Sequence, residues 1–249
     1  MRKIIVTLMI AAAATTAAAQ ERTSRLLLKA RAAYSIGATA PLGIPASIRS
    51  IESFRLTPSF LAGIDANCAF SQHLGLQLGL LLEHKAMDGE VTTKDYGMRL
   101  VMDEDEMEGR YTGHVRQEVK MTMLTVPLQL SVDLSRRLQL RAGPYVSLLL
   151  ARRFSGYAFS GYLRKDNPTG AKVVMGSEDN ERATYDFGSD LRRLQTGVAV
   201  GADWLLARRL GLSASLEWGL NGIFRSDFKT VEQTLYPIYG SVGVFYSIN

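Results

Sequence analysis

Apolar and polar residues alternate along most of this chain. From Leu74 to Leu82 every even-numbered position is leucine, whereas the odd positions between them are glycine, glutamine or, once, leucine. Side chains of a β-strand point to alternate faces, so this pattern predicts a strand with one apolar and one small or polar face. The alternation recurs in eight segments, which begin near Tyr34, Phe60, Leu74, Leu124, Leu138, Val198, Leu210 and Tyr236.

The segments are joined by connections of two kinds. Three are short, similar and polar, and they fall within residues 70–76, 134–140 and 206–212. Four are longer and polar, over Gly43–Phe54, Met87–Gln117, Phe159–Asp190 and Ser226–Gln233. Short turns at one end and long loops at the other are typical of outer-membrane barrels. The predicted fold is therefore all-β: an eight-stranded antiparallel up-and-down transmembrane β-barrel, with strands long enough to project beyond the bilayer.

The charge distribution indicates which face meets lipid. The apolar face carries almost no charge over the middle of each strand, where a lipid-facing Lys or Arg costs about 2–4 kcal/mol. A soluble barrel would show the opposite partition. Aromatic residues near the strand ends predict two interfacial girdles, although aromatics are enriched in strands generally. The short-turn girdle is Phe70, Trp204 and Tyr246, and the long-loop girdle is Phe60, Tyr157, Phe159, Trp218, Phe224 and Tyr236.

The N-terminus has the layout of a secretory signal. Arg2 and Lys3 precede an apolar run, Ile4–Ala14, and Ala17–Ala19 offers a cleavage site before Gln20. The apolar run is too short for a membrane anchor, which needs about 20 residues. The predicted organisation is a signal peptide over residues 1–19 and a barrel domain over 20–249. Export followed by an even number of strands places both mature termini and the short turns in the periplasm.

Composition removes several alternatives. The formal charge of the 249-residue chain is +5, which becomes +3 without the two bases of the signal, and this mild charge predicts no nucleic-acid binding. The only cysteine, Cys68, cannot form an intramolecular disulfide, and no cysteine follows the apolar run to carry a lipid anchor. No later segment has the ~18 uncharged apolar residues of a membrane helix.

Five charged residues share the inward parity of the predicted strands: Asp65, Glu83, Arg141, Asp203 and Glu217. An eight-stranded barrel is just wide enough to be filled by side chains, and charges buried there must pair. We expect Arg141 to bridge at least one of Asp65, Asp203 and Glu217, in a polar network that plugs and braces the barrel. The alternative is a path for protons or ions.

Three other clusters offer weaker chemistry. The acidic run Asp103–Glu106 with Glu108 suggests calcium but lacks the spacing of an EF-hand, which favours a solvated loop tip. The bases Arg152, Arg153, Arg164 and Lys165 suggest contact with anionic headgroups, or simply a solvated rim. The histidines His73, His84 and His114 are scattered, and no set of nucleophile, base and orienting group can be assembled. The sequence therefore predicts no catalytic, cofactor or metal site.

The central hairpin comprises Val126–Leu130, the Ser135–Arg137 turn, Leu140–Tyr145 and Leu148–Leu150. These residues resemble the corresponding hairpin of PorT-like outer-membrane β-barrel proteins. Downstream, Gly197–Ala202, Leu210–Leu212 and Glu217–Asn221 are similar to that family's closing strands, and Ser241–Ile248 to the terminal strand read by the barrel-assembly machinery. The chain departs from the pattern by ending in Asn249 rather than an aromatic residue. The resemblance implies an eight-stranded barrel in the outer membrane and no shared catalytic residues.

These observations predict an integral outer-membrane barrel with a filled lumen, long extracellular loops and a structural or binding role without catalysis. The expected partners are outer-membrane lipid and lipopolysaccharide, the barrel-assembly machinery during biogenesis, and an envelope protein bound through the loops. One alternative is an accessory subunit of an outer-membrane secretion or assembly complex, since some PorT-like proteins have that role. A second is a lipid-modifying enzyme or protease acting at the rim, and a third is a diffusion channel, for which eight filled strands leave no obvious path.

Overall fold

The computed structural model describes residues 26–43, 45–55, 57–102, 105–165, 169–228, 230–231 and 233–249. The predicted signal peptide and its cleavage site lie outside these residues. The strands are β1 (Leu26–Pro41), β2 (Ile48–Arg55), β3 (Ser59–Ala69), β4 (Leu74–Met102), β5 (Asp105–Asp133), β6 (Leu138–Lys165), β7 (Lys172–Met175), β8 (Ala183–Asp186), β9 (Leu194–Leu205), β10 (Leu210–Gly219) and β11 (Leu235–Ser247). Two three-residue 3-10 turns, Asp179–Glu181 and Gly188–Asp190, flank β8. Within the described ranges no helix has the length and apolarity needed to cross a membrane.

Eight of these strands close into a barrel. The order is β1-β3-β4-β5-β6-β9-β10-β11, and β11 pairs back onto β1. Every neighbouring pair is antiparallel. The prediction of an eight-stranded antiparallel barrel is therefore confirmed. The remaining strands, β2, β7 and β8, pair outside this ring with β4 and β6.

The three short turns share one backbone arrangement. In each, two consecutive amides donate to a single carbonyl: Phe70 and Ser71 to Leu74, at 3.1 Å each. The amides of residues 134 and 135 donate in the same way to the carbonyl of residue 138, and those of 206 and 207 to that of 210. The similarity of the three sequences thus reflects one turn built three times, which keeps successive hairpins in the same relative register.

A continuous apolar belt surrounds the barrel. The even-numbered side chains Leu78, Leu128, Val200 and Leu212 are typical of it and are 41–50% exposed. The odd-numbered neighbours face the interior, where many are buried and polar, as at Gln129. Water-exposed apolar surface of this extent is rare on soluble monomers, whereas a bilayer accommodates it at no cost. The parity of the strands is therefore that of a membrane barrel.

Three strands run far beyond the belt. β4 and β5 each have 29 residues and β6 has 28. Their distal parts (residues 84–102, 105–122 and 151–165), with β2, β7 and β8, form a β-structure that we call the extension. The predicted Met87–Gln117 loop is therefore wrong, because most of it is the β4–β5 hairpin. The Phe159–Asp190 connection likewise contains the end of β6 and all of β7 and β8.

Alternation continues into the extension with inverted polarity. Along β5 the inward residues change from Thr125 to the buried, apolar Met123, Met121 and Val119. The outward residues change from apolar to polar: Leu124 is the last apolar residue of the belt, and the next outward residue toward the extension is Thr122. The extension thus has an apolar core and a polar surface, like a soluble protein. The inversion marks where the bilayer ends on these strands.

Two of the β-bulges in the extension contain a non-glycine residue with positive φ. β4 gains a residue at Asp95 (φ 56°), and β6 gains one at Ser160 (φ 47°). Arg110 holds the first bulge by donating to both carboxylate oxygens of Asp95, at 3.0 and 3.1 Å. These bonds lower the pKa of the Asp95 carboxyl. The bent hairpin reaches β8, where Val101 pairs with Thr184.

The aromatic girdles are partly as predicted. Trp204 and Phe70 at the short-turn end, and Phe60 and Trp218 at the other, are exposed on the outer face. Phe224 is wrongly assigned to a girdle, because it is buried in the apolar core of the extension against Phe154. Tyr157 and Phe159 also lie beyond the belt. The guanidinium of Arg182 lies over their rings, 4.8 and 5.8 Å from the ring centroids.

Candidate functional site

Eight buried charged side chains fill the lumen. We call them the lumen network. They comprise the five residues of predicted inward parity, Asp65, Glu83, Arg141, Asp203 and Glu217, and three further bases, Lys29, Arg31 and Lys85. All eight are at most 6% exposed. With four bases and four acids, the network is neutral overall, which is the condition for burying so many charges.

Arg31 is the centre of the larger cluster. Its Nε donates to Asp65 Oδ2 at 2.8 Å, and its Nη1 and Nη2 grip both oxygens of Asp203 at 2.9 and 3.0 Å. Lys29 Nζ lies 3.1 Å from the same Asp203 carboxylate, and Arg141 Nε lies 3.4 Å from it. Three bases therefore converge on Asp203, and Arg31 connects it to Asp65 across the bore.

Lys85 forms the second cluster, nearer the extension. Its ammonium lies 2.6 Å from Glu217 Oε2 and 2.9 Å from Glu83 Oε2. The same ammonium sits over the rings of Tyr145 and Tyr239, 5.7 and 5.5 Å from their centroids. Cation–π contact of this kind adds to the ion pairs where water is excluded. The cluster closes the end of the polar lumen that faces the apolar core.

Sequence reasoning missed the three bases that complete the network. Lys29 and Arg31 share the odd parity of Ser35 on β1, but the alternation becomes clear only from Tyr34 onwards. Lys85 continues the parity of Glu83 at the end of the belt. Extending the period of two by a few residues at each strand end would have found all three.

The acidic run is only partly described, because Asp103 and Glu104 lie outside the described residues. Arg99 engages two of the other carboxylates: its Nε is 3.1 Å from Glu106, and its Nη2 is 4.0 Å from Glu108. In the described ranges no group of three or more His, Cys, Asp or Glu side chains is arranged to hold a metal ion. Calcium binding by this run stays a hypothesis.

The four bases assigned to one rim lie at different heights. Arg153 is exposed, and Lys120 lies opposite it on β5, just beyond Thr122. The guanidinium of Arg152 instead donates to the Leu191 carbonyl. Arg164 and Lys165 lie at the far end of β6, about 35 Å further along the strand at ~3.3 Å per residue. The single-rim assignment is therefore wrong for Arg164 and Lys165, since β6 was predicted to end near residue 159. Arg152 lies at the height of Arg153, but its guanidinium is engaged by the Leu191 carbonyl.

Two histidines have hydroxyl neighbours on the outer face. His84 Nδ1 lies 3.0 Å from Thr122 Oγ1, and its ring stacks on Phe60 with centroids 5.5 Å apart. His114 Nδ1 lies 3.6 Å from Glu90 and 3.4 Å from Thr92. Because both neighbours of His114 face the same ring nitrogen, the nucleophile–His–acid relay of a serine-type hydrolase is not formed.

The Thr92 hydroxyl is also committed elsewhere. It donates to Glu52 Oε1 at 2.8 Å, and Ser50 donates to the same oxygen. Both hydrogen bonds lower the pKa of the Glu52 carboxyl, and the bond from Ser50 has the larger effect. A hydroxyl that donates to a carboxylate cannot donate to the histidine at the same time, so Thr92 is not poised as a nucleophile.

A closed eight-stranded barrel with an apolar belt and a charged, side-chain-filled lumen defines an integral outer-membrane β-barrel protein. Sequence comparison agrees: residues 18–225 match the family described as outer membrane protein beta-barrel domain. The chain belongs to that family, which places it in the outer membrane. No curated protein matches the sequence.

Several solved structures are similar over most of the chain. Neisserial surface protein A is 12% identical, with a TM-score of 0.38, over 90% of this chain and 97% of that one. Ail of Yersinia pestis, in complex with the heparin analogue sucrose octasulfate, is 8% identical with a TM-score of 0.38 and the same coverage. OprG of Pseudomonas aeruginosa is 11% identical, with a TM-score of 0.35, over 91% and 97%. At these scores the similarity supports no inference about function.

Proposed function

We propose that the protein is a plugged outer-membrane anchor with a structural or binding role, whose rigid extension is presented to a partner. The observation that carries this proposal is the lumen network, which leaves Arg31 and Lys85 bonded across the bore rather than lining a water path. Above it, the extension has its own apolar core. A rigid β-surface is better suited to binding than a flexible loop, because less conformational entropy is lost on association.

Conductance in planar bilayers tests the closed lumen. The wild-type barrel should show no stable single-channel steps, since eight strands with a filled interior leave no aqueous channel. An Arg31→Ala variant is the control for sensitivity, because it removes the guanidinium at the centre of the network. Stable ohmic steps in the wild type would contradict the proposal and favour a diffusion channel.

We further propose the orientation implied by export. Cleavage before Gln20 and eight barrel strands put both termini and the short turns in the periplasm, and the extension outside the cell. The apolar belt then contacts lipid, and Lys120 with Arg153 lies at the height of the lipopolysaccharide phosphates. An epitope inserted at Gly170, beyond β6, should be labelled on intact cells. An epitope in the Ser135–Arg137 turn should be labelled only after permeabilisation, and the reverse result would invert the orientation.

The pairing of the last strand with the first supports the proposal that the barrel-assembly machinery folds this protein into the membrane. Asn249 extends the pairing of β11 with β1, because its side chain accepts from the Leu28 amide and donates to the Leu26 carbonyl, each at 2.8 Å. Asn249 thus continues the ladder where the PorT-like pattern has an aromatic residue. Asn249→Ala should slow assembly, followed as the rate at which the heat-modifiable folded form appears, whereas Asn249→Phe should not.

Membership of a PorT-like secretion or assembly complex is the alternative binding role. It rests on the resemblance of the Val126–Leu150 hairpin. Crosslinking on intact membranes followed by purification separates the two roles. A stoichiometric set of secretion components in the pull-down would favour the accessory subunit, and a single envelope or extracellular partner would favour the anchor.

A rim hydrolase is a second candidate, favoured by one observation. The contact between His114 and Glu90 leaves the Nε2 of the ring facing away from both neighbours, where it could activate a water. Hydrolysis of ester-linked lipid by the purified protein, abolished by His114→Gln and kept by His84→Gln, would support it. Equal activity in the wild type and both variants would exclude a role for this pair.

A further inference from the structure

An apolar cavity of about 230 Å³ lies inside the extension, above the lumen network. Its lining comes from the distal end of β1, from β2 and from the inward faces of β4, β5, β6 and β8. Apolar side chains dominate, among them Ile51, Met87, Val91, Met98 and Val115. The plugged-anchor proposal does not use this cavity, and the inference below does not depend on that proposal.

The cavity opens sideways through a gap in the wall. β1 pairs with β3 only as far as the Ser35–Ser59 pair, so its residues 36–41 have no strand partner on that side among the residues that the structure describes. β2 and β3 pair with successive parts of the same edge of β4, and β2 has no other strand partner among the described residues. At the gap, Ile51 and Phe54 line the cavity and are nevertheless 59% and 46% exposed. A molecule outside the barrel therefore reaches the cavity without passing the lumen network.

One hydroxyl proton at the cavity wall lacks an acceptor. Thr39 is 2% exposed, and the only polar group beside its hydroxyl among the described residues is the hydroxyl of Tyr239, which has no other partner there. Two hydroxyls that face each other can satisfy only one of their two protons. The second buried O–H is left without an acceptor, which is unfavourable and indicates a missing polar group.

We propose that the cavity binds a small free apolar molecule that carries one hydrogen-bonding group, and that this group is held by Thr39. The volume sets the size, because an apolar cavity of ~150 Å³ binds benzene and drug-sized ligands need ~300–1,000 Å³. The cavity fits a substituted single ring or a chain of similar bulk. An entire membrane lipid is too large for the cavity, and the mostly apolar lining excludes a strongly polar ligand.

Crystals soaked in 4-bromophenol locate the ligand directly. The expected result is a bromine anomalous peak among Met98, Val91 and Val115, with the phenol oxygen within hydrogen-bond distance of Thr39 Oγ1. Water alone next to Thr39 after a saturating soak would overturn the proposal. An acyl chain of lipid or detergent entering through the gap and excluding the phenol would overturn the choice of a free molecule.

Gly89 offers a matched pair of variants for binding in solution. It lines the cavity, and a Cβ added there would have its nearest neighbour, the Ser53 carbonyl oxygen, at 3.4 Å, which is ordinary contact. Gly89→Leu should therefore fill the cavity, whereas Gly89→Ala should leave it open. Val91→Phe is a second filling variant if Gly89→Leu does not show the heat-modified mobility of a folded barrel.

Affinity is measured in nanodiscs by fluorine NMR, with 4-fluorophenol and fluorobenzene as probes. Partition into lipid is common to all variants, so differences between them report the cavity. Gly89→Leu should lower the affinity for both probes at least tenfold relative to Gly89→Ala. Thr39→Val should lower the affinity for 4-fluorophenol about fivefold and leave fluorobenzene unchanged, because only one hydrogen bond is removed. Equal affinities of the two glycine variants, or no effect of Thr39→Val, would refute the proposal.

Discussion

The lumen network predicts an unequal response to the loss of its two arginines. Asp65 has no ion-pair partner other than Arg31 within the described residues. Arg31→Met therefore leaves a buried carboxylate unpaired and should lower the free energy of unfolding by about 3–5 kcal/mol. Arg141→Met is the matched control, because Asp203 keeps Arg31 and Lys29, and only hydrogen bonds to Gln129 and Ser213 are lost besides. Its cost should be about 1–2 kcal/mol.

Urea titration of the barrel in lipid vesicles, read as heat-modified gel mobility, measures both values. The double variant Arg31→Met/Asp65→Asn should be more stable than Arg31→Met alone, because the second change removes the unpaired charge. An equal loss for Arg31→Met and Arg141→Met, or a loss below about 1 kcal/mol for Arg31→Met, would refute the reasoning that Arg31 holds the network together.

Three further predictions concern the bilayer boundary and the extension. Leu128→Arg should cost about 2–4 kcal/mol, whereas Thr122→Arg, just beyond the belt, should cost at most about 1 kcal/mol in the same titration. Trypsin should cleave at Arg99 faster in the Asp95→Ala variant than in the Asp95→Gly variant. Both variants lose the hydrogen bonds from Arg110, but only alanine is strained at the positive φ of this bulge. The pKa of Asp95 is lowered in the folded protein, so its carboxylate should stabilise the bulge fully at pH values above the unfolded pKa near 3.9. This stabilisation should be lost as the pH falls through the folded pKa. The loss should appear as faster amide exchange in residues 94–112, and the Asp95→Asn variant should show no such pH dependence.

The barrel could be predicted because its signal is local. An apolar–polar alternation with a period of two can be recognised from the few residues around each position, as in the belt from Leu74 to Leu82. The short turns likewise repeat a local arrangement, so their likeness in sequence was sufficient. The prediction of eight strands and of their lipid-facing parity therefore held.

The extension was missed because its polarity inverts while its period does not. Lys120, Glu118 and Arg116 occupy the outward positions that leucines occupy in the belt, and such polar residues suggest a loop. The inward Met121 and Val119 carried the opposing signal. Tracking each parity separately beyond Thr122 would have predicted strands.

The partners within the lumen depend on tertiary register rather than on local pattern. Inward parity indicated that Asp65 and Asp203 meet charges. Arg31 reaches both only because β1 pairs with β3, which carries Asp65, and because closure of the barrel brings β9, which carries Asp203, across the bore from β1. The apolar cavity is likewise invisible in sequence. Thr39 has the parity of any lumen residue, and its place in the cavity wall is apparent only from the three-dimensional structure.

The most direct test of the account is the accessibility of single spin labels along β5, in a chain whose exposed Cys68 is replaced by alanine. Labels at Val126, Leu128 and Leu130 should collide with oxygen dissolved in the bilayer. Labels at Thr122 and Glu118 should collide with a water-soluble nickel chelate. Labels at the odd positions 123–131 should collide with neither. Oxygen access at the odd positions, or no change of solvent between Thr122 and Leu124, would contradict the account.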